Sequence, residues 1–572
     1  MEKWFVYSKR AEFDAIGQKF HISPMTARIL RNRDVVGEEA IHRYLHGTLD
    51  DLYSPWLLKD MGKAVSILQK KIEDGKRIRV VGDYDIDGVC ATYILTNGLR
   101  KCGAKVDFEI PDRMKDGYGI NIHILEEALA DGIDTVVTCD NGISALEQIR
   151  YAREKGMTVV VTDHHDVPFE ETEQGKQYLL VEADALVNPK QEDCSYPFEG
   201  ICGAVVAFKL VQALYEQMEV EGDVIEEFLE FAAIATVGDV MQLQDENRIL
   251  VKYGLQRLRK TQNPGLKCLI EENNLNPDAI SAYHIGFVIG PCLNAGGRLQ
   301  TAKLALAMLM TDDQEEARKL SGELKDLNDM RKDMTRKGLE EAIQVIEGTG
   351  MQQDKVLVVF LPECHESLAG IIAGRLREKY NKPSLVLTRG EESVKGSGRS
   401  IENYHMFQAL VAVKDLLLKF GGHPMAAGLS LPEENIEEFR RRLNENAQLT
   451  EEDFIKKIWI DVPMPLEYVS KELVQELIQL EPFGQGNQKP LFAQKDLTVR
   501  SARVMGKNRN VVRLSLVTPQ GFAMDAVVFG DGDAFEEERG GKRRMNITYY
   551  PSVNEYNGNQ NLQVVVQNYS FS

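Results

Sequence analysis

Three short, β-branched runs in this chain each break off into acidic or histidine-bearing residues. Ile78-Arg79-Val80-Val81 leads into Gly82-Asp83-Tyr84-Asp85-Ile86-Asp87-Gly88, and Thr135-Val136-Val137-Thr138-Cys139 leads into Asp140-Asn141-Gly142. Thr158-Val159-Val160-Val161 reaches Asp163-His164-His165 one residue later. Such runs, alternating with helical patterns, read as strands of a parallel sheet covered on both faces. Sheets of this kind carry their chemistry at the carboxyl ends of the strands. From about residue 70 to 255 the chain is therefore constrained to an α/β unit in which three strands deliver Asp or His to one rim.

At 572 residues the chain exceeds one compact core, and domain-size limits imply about three to five units. Residues 1–65 read as a lead-in with short helices, including Gly37 to Leu45, and 66–310 as the parallel-sheet domain. Within the latter, Gly290-Pro291-Cys292-Leu293-Asn294-Ala295-Gly296-Gly297-Arg298-Leu299 is too glycine-rich to continue a helix and reads as a loop. Residues 311–347 lack proline and carry charge around most of the helical circumference, with Leu320, Leu324, Leu327, Met330 and Met334 as a narrow stripe. A helix that polar bridges lobes. A second α/β lobe, 348–455, opens on Val356 to Phe360. Residues 456–572 turn to strict alternation, as in Val511 to Val517 and Leu562 to Val566, with a hairpin turn expected at Asn557-Gly558. The fold class is thus two α/β lobes joined by a long helix, followed by a small β-barrel or sandwich.

Hydrophobic content of 43% with 27% charged residues is ordinary for a globular protein. No run is apolar enough to span a bilayer, and the start Met1 to Val6 lacks a signal-peptide core, so a cytoplasmic protein with no membrane partner is expected. The eight cysteines form no Cys-x-x-Cys pair, which argues against a disulfide framework or thiolate zinc site; Cys139 reads as core rather than nucleophile. A net charge of −20 disfavours duplex binding across the whole surface while leaving room for a local basic groove. The cluster Arg331, Lys332, Arg336 and Lys337 reads as solvated helix surface.

Asp85 and Asp87 stand two apart, so an extended segment, or a turn at Gly88, would bring both carboxylates to one place. With Asp140, His164 and Asp239, the last at the end of the apolar run Phe231 to Val237, the donors are carboxylate oxygens and an imidazole. That set suits Mn²⁺ or Mg²⁺ rather than zinc. A single Asp at a strand end is most simply a cap, but several strands ending so point to a metal site.

In order and spacing, Asp85-Ile86-Asp87-Gly88, Asp140-Asn141-Gly142, Asp163-His164-His165 and Gly238-Asp239 resemble the DHH phosphoesterase superfamily. Gly286 to Leu299, Gly396-Ser397-Gly398-Arg399-Ser400 and Gly421-Gly422-His423-Pro424 extend the resemblance, over essentially the whole chain, to the RecJ single-strand-specific exonucleases. The resemblance implies DHH, DHHA1 and OB-fold domains. It implies two divalent ions on Asp85, Asp87, Asp140, His164 and Asp239, with Asp140 bridging. Asp83 and Asp163 would orient ligands or water from behind, and His165 would face the reacting phosphate, making His165, Asp140 and Asp85 the catalytic set. Arg298, Asn294, Arg399, Ser397, His423, His365 and Arg113 become the expected substrate-binding residues. Phe529, Tyr549, Tyr550 and Tyr556 are available for stacking on bases, though aromatics on alternating strands also form cores.

The function expected from this resemblance is metal-dependent hydrolysis of single-stranded DNA, 5′ to 3′, releasing 5′-mononucleotides in recombination and repair. A single-strand-binding protein and a RecQ-type helicase are the implied partners. Two alternatives stand beside it. A phosphoesterase of short oligonucleotides or nucleotide bisphosphates would use the same metals but needs only two lobes, and a replication-complex scaffold would have broken ligand positions, which this chain lacks. A cyclic-dinucleotide phosphodiesterase fits less well, because neither a sensor region nor an anchor is visible.

Overall fold

The computed structural model describes residues 2–113, 116–172, 175–556 and 559–572. Its first sheet is five-stranded and wholly parallel, ordered Lys105–Glu109, Arg77–Val81, Thr135–Cys139, Thr158–Thr162 and Ala185–Val187. The central strands are buried on both faces, which is why they read as continuous apolar runs. Beyond Val187 the domain is helical. Gly203–Met218 and Val224–Gly238 pack with Ile86–Lys101 in its main core. Gly290–Leu299 is a helix entered through a π-helical turn at Ile285–Ile289, not a loop. A Cβ at Gly297 would come within 2.4 Å of the Tyr84 carbonyl oxygen, so the glycine allows helix and acidic turn to touch.

The bridging helix runs from Gln314 to Thr349. Its buried face includes Leu324 and Leu327 but also Ser321 and Asn328, whereas Met330, expected in the stripe, is exposed. The second lobe carries a mixed sheet ordered Lys419–His423, Ala426–Leu431, Val394–Arg399, Ser384–Arg389 and Leu357–Phe360. The segments Gly396 to Arg399 and Gly421 to His423 are strands.

The C-terminal sheet closes into a barrel, because Phe492–Met505 pairs with both Val511–Val517 and Arg544–Tyr556. Ala523–Phe529 and Asn559–Phe571 complete the ring. Tyr549 and Tyr550 are buried in it and Phe529 is exposed; Asn557-Gly558 and the Tyr556 side chain lie outside the described residues. The lead-in packs here: Glu2–Val6 pairs in parallel with Lys456–Ile460, and Ile29, Leu30, Ile41 and Tyr44 join the barrel core. Arg33 forms a buried bidentate pair with Asp461 at 2.5 and 3.0 Å. No helix among the described residues is long and apolar enough to cross a membrane.

Candidate metal centre and anion cavity

Asp85 caps the helix Ile86–Lys101, its carboxylate accepting from the Asp87 and Gly88 amides at 2.9 and 3.1 Å. The turn, not an extended run, is what brings Asp85 and Asp87 together. Asp87 lies in the first helical turn, and its two oxygens accept from the Gly203 and Ala204 amides, both at 2.7 Å, where the helix Gly203–Met218 begins. Two helix N-termini thus face one carboxylate-rich point, a placement their dipoles favour. Asp140 follows its strand in the left-handed region, φ 60°, which Asp tolerates better than most residues. A Cβ on Gly203 would come within 2.6 Å of the Asp140 Cβ, so this close approach requires glycine.

Overlapping sets of donors result, one of them Asp140, His164 and His165. Asp87, His164 and Asp239 present atoms within 4.8 Å of one another, and so do Asp83, Asp85 and Asp140. His164 Nε2 lies 3.1 Å from Asp140, 3.5 Å from Asp87 and 3.7 Å from Asp239, which puts Asp140 between the sets. Asp83, expected behind the ligands, therefore stands among the donors. Burial, followed by repulsion from neighbouring carboxylates, pushes Asp83 and Asp140 well above the ordinary carboxylate range and Asp239 up to about 8. So many buried acids cannot all ionise without cations. One oxygen of Asp83, one of Asp140 and the Nδ1 of His164 are buried without a hydrogen-bond partner. The donor chemistry and these orphaned atoms fit a pair of hard divalent ions.

Asp163 points the other way. It accepts from the Ile143, His164 and His165 amides and lies 2.8 Å from the His165 Nδ1. Burial alone would lower His165, but the Asp163 hydrogen bond together with the charges of Asp163, Asp87 and Asp239 outweighs it and pushes the imidazole up to about 9. Sequence reasoning missed Tyr118, whose hydroxyl donates to the Asp140 carbonyl at 2.8 Å and lies 3.2 Å from His165; the flanking Gly117 and Gly119 were its signal. It also missed Lys190, which pairs with Asp166 at 2.9 Å.

The expected substrate-binding residues divide. Arg113, Arg298, Ser397 and Arg399 line a cavity of about 630 Å³ between the lobes, joined there by Arg375 and Lys395. Burial, then the nearby Arg113 and Arg331, push Arg298 down to about 10. Such crowding of cations calls for an anion. Arg298 also donates to the Ser367 carbonyl at 3.1 Å, tying the lobes together. His423 lies apart, in a pocket of about 380 Å³ with His165, Tyr118 and Lys190. His365 caps the helix Glu366–Tyr380 by accepting from the Ser367 amide. Asn294 accepts from the Ile86 amide at 2.9 Å and so braces the acidic turn. Cys139 is fully buried, and burial pushes its thiol up to about 12.

Comparison with known proteins settles the kinship. The DHH family N-terminal domain matches residues 77–236, the DHHA1 domain 353–449 and the RecJ OB domain 460–568. The single-stranded-DNA-specific exonuclease RecJ of Bacillus subtilis (strain 168) is 36% identical over 98% of this chain and 69% of its own length. That of Escherichia coli (strain K12) is 33% identical over 96% of each chain. The chain belongs to the RecJ exonuclease family. A crystal structure of RecJ from Thermus thermophilus in complex with Mn²⁺ superposes with a TM-score of 0.83 at 29% identity, covering 100% of this chain and 80% of that one. The corresponding Mg²⁺ complex gives 0.78 at 28% identity, covering 100% and 78%. RecJ structures therefore hold the divalent ions that the acidic cluster fits.

Proposed function

We propose that this chain hydrolyses single-stranded DNA from its 5′ end and releases 5′-mononucleotides, in recombination and repair. The observation that carries this reading is the juxtaposition of an acidic double donor set with an arginine cavity spanning both lobes. Asp87, His164 and Asp239 would hold one ion and Asp83, Asp85 and Asp140 the other, with Asp140 between them. When bound, the ions supply Lewis acidity at the scissile phosphate. Arg298 and Arg399 hold the terminal phosphate, supported by Arg113 and Ser397, and so fix which linkage reaches the acidic cluster. His165, oriented by Asp163 through Nδ1, presents Nε2 to the phosphate or the departing oxygen. A cleft that admits one strand excludes a paired one. Domain boundaries near 65, 310, 347 and 455 accompany this reading, as do a single-strand-binding protein and a RecQ-type helicase as partners.

The test is hydrolysis of 5′- and 3′-end-labelled single strands with Mn²⁺, alongside Asp140→Ala. A 5′ label should appear at once as mononucleotide, while a 3′ label should pass through progressively shorter strands. Asp140→Ala should lower the rate at least about a thousandfold and remove the rise in Tm on adding Mn²⁺. Immediate mononucleotide from the 3′ label would reverse the polarity. Equal hydrolysis by the variant would remove the metal centre from the mechanism. Faster turnover of a dinucleotide than of a long strand would favour the short-oligonucleotide alternative.

A further inference from the structure

A third cavity, about 980 Å³, opens between the parallel-sheet domain and the segment leading into the barrel. Its floor carries Tyr283 and Phe287, one helical turn apart, with ring centroids 4.8 Å apart and planes inclined by 27°. Each ring is 63% exposed, which is unusual for two large apolar side chains so close to a domain core. Phe287 belongs to the π-helical turn Ile285–Ile289, a distortion that often marks functional sites. The cavity continues into the rest of the site in two directions. Phe287 also lines the arginine cavity, and Gly238 and Val240 flank Asp239 of the acidic cluster. Val240, a β-branched residue, is held at φ 58° and left 67% exposed at this junction.

The charges here run against the whole. In a chain of net −20, Lys252, Arg259 and Lys489 line this cavity with Glu481 as the acidic residue among its walls. Among the described residues none of the three cations makes an ion pair within 4.0 Å, although Arg259 donates to the Ile280 carbonyl at 3.0 and 2.8 Å and Lys489 lies 3.8 Å from the Tyr550 ring centroid. A surface with flat exposed rings, surplus positive charge and continuity with a phosphate-binding cavity matches unpaired nucleotides, whose bases stack while their backbone tracks cations. We infer that Tyr283 and Phe287 form a stacking platform for bases of the bound strand, set back from the scissile linkage. This rests on the single-strand reading above. The platform reads no sequence, because every base offers a π-face. It holds the strand by its bases while the arginine cavity holds the end by its phosphate.

The test uses the full chain in an Asp140→Ala background, so that binding is read without turnover, with two fluorescent probes. One is a long oligothymidylate and the other is the same strand with a run of abasic residues over its length. Changing Tyr283→Ala together with Phe287→Ala should weaken binding of the oligothymidylate about tenfold, the size of one lost base stack. The parent should bind the abasic strand about tenfold more weakly, and the double variant should bind it no more weakly than the parent does. Exchanging the rings, Tyr283→Phe with Phe287→Tyr, should keep the oligothymidylate within about twofold. Equal losses on both strands, or no loss on either, would overturn the platform. Failure of the underlying reading looks different. If the unmodified chain with Mn²⁺ hydrolysed no strand while the base-dependent factor persisted, the exonuclease assignment would fall and the platform would stand.

Discussion

Lys209 is fully buried in the helix Gly203–Met218, 3.1 Å from an equally buried Glu246. Its ammonium also donates to the Tyr53 carbonyl at 2.5 Å, and Glu246 accepts from the Tyr196 hydroxyl. Burial pushes the lysine below its ordinary value, and Glu246 offsets part of that shift. Removing one partner strands the other. Glu246→Ala should therefore cost about 3–5 kcal/mol, read as a lower urea midpoint, while replacing both residues by apolar ones of similar volume should recover most of it. Glu230 shows the opposite linkage. Burial raises it to about 7, with Thr261 donating to it at 2.7 Å. A carboxyl raised in the folded state contributes stability that is complete below its ordinary value of 4.5 and is lost as pH climbs through 7. Glu230→Gln should thus leave Tm unchanged near pH 4.5 and raise it near pH 8, by the equivalent of up to about 3 kcal/mol. An equal change at both pH values would show that folding leaves the carboxyl's pKa unshifted.

Among elements, the strands that end in Asp or His were legible because two-sided burial imposes continuous β-branched runs, and only the residues after such a run can reach the rim. The helix Gly290–Leu299 was not legible, because glycine reads as a breaker unless the neighbouring backbone is known. There Gly297 serves contact with the Tyr84 carbonyl, a relation between residues more than two hundred positions apart. Tyr118 was similarly hidden, and so was the closeness of Asp83 to the Asp85 and Asp140 donors, since these distances depend on how loops close over the sheet. His423 and Arg399 share a sheet and a spacing signal, yet face different pockets, which no linear pattern encodes. Helix placement also carries a prediction. Gly203→Ala would press a methyl group onto Asp140, so Mn²⁺ affinity should fall at least about tenfold with helix content unchanged; calorimetric titration and circular dichroism would check both halves.

At the level of the whole molecule, an acidic protein that binds a polyanion must confine its attraction to places where cations gather. The inter-lobe cavity is such a place. Binding of single strands should weaken with salt, and Arg399→Ala should reduce the slope of log affinity against log salt by about 0.7, the value for one phosphate contact on a single strand. An unchanged slope would place Arg399 off the backbone. The joint between lead-in and barrel has a consequence of its own. Among the described residues Glu2–Val6 pairs with Lys456–Ile460 alone, and Arg33 finds its carboxylate at Asp461 alone. During synthesis the first strand therefore leaves the ribosome roughly 20 to 90 seconds before its mate exists, at ordinary elongation rates. For that interval its open edge has no native neighbour, and the nascent chain is exposed to wrong pairing or to capture by a chaperone.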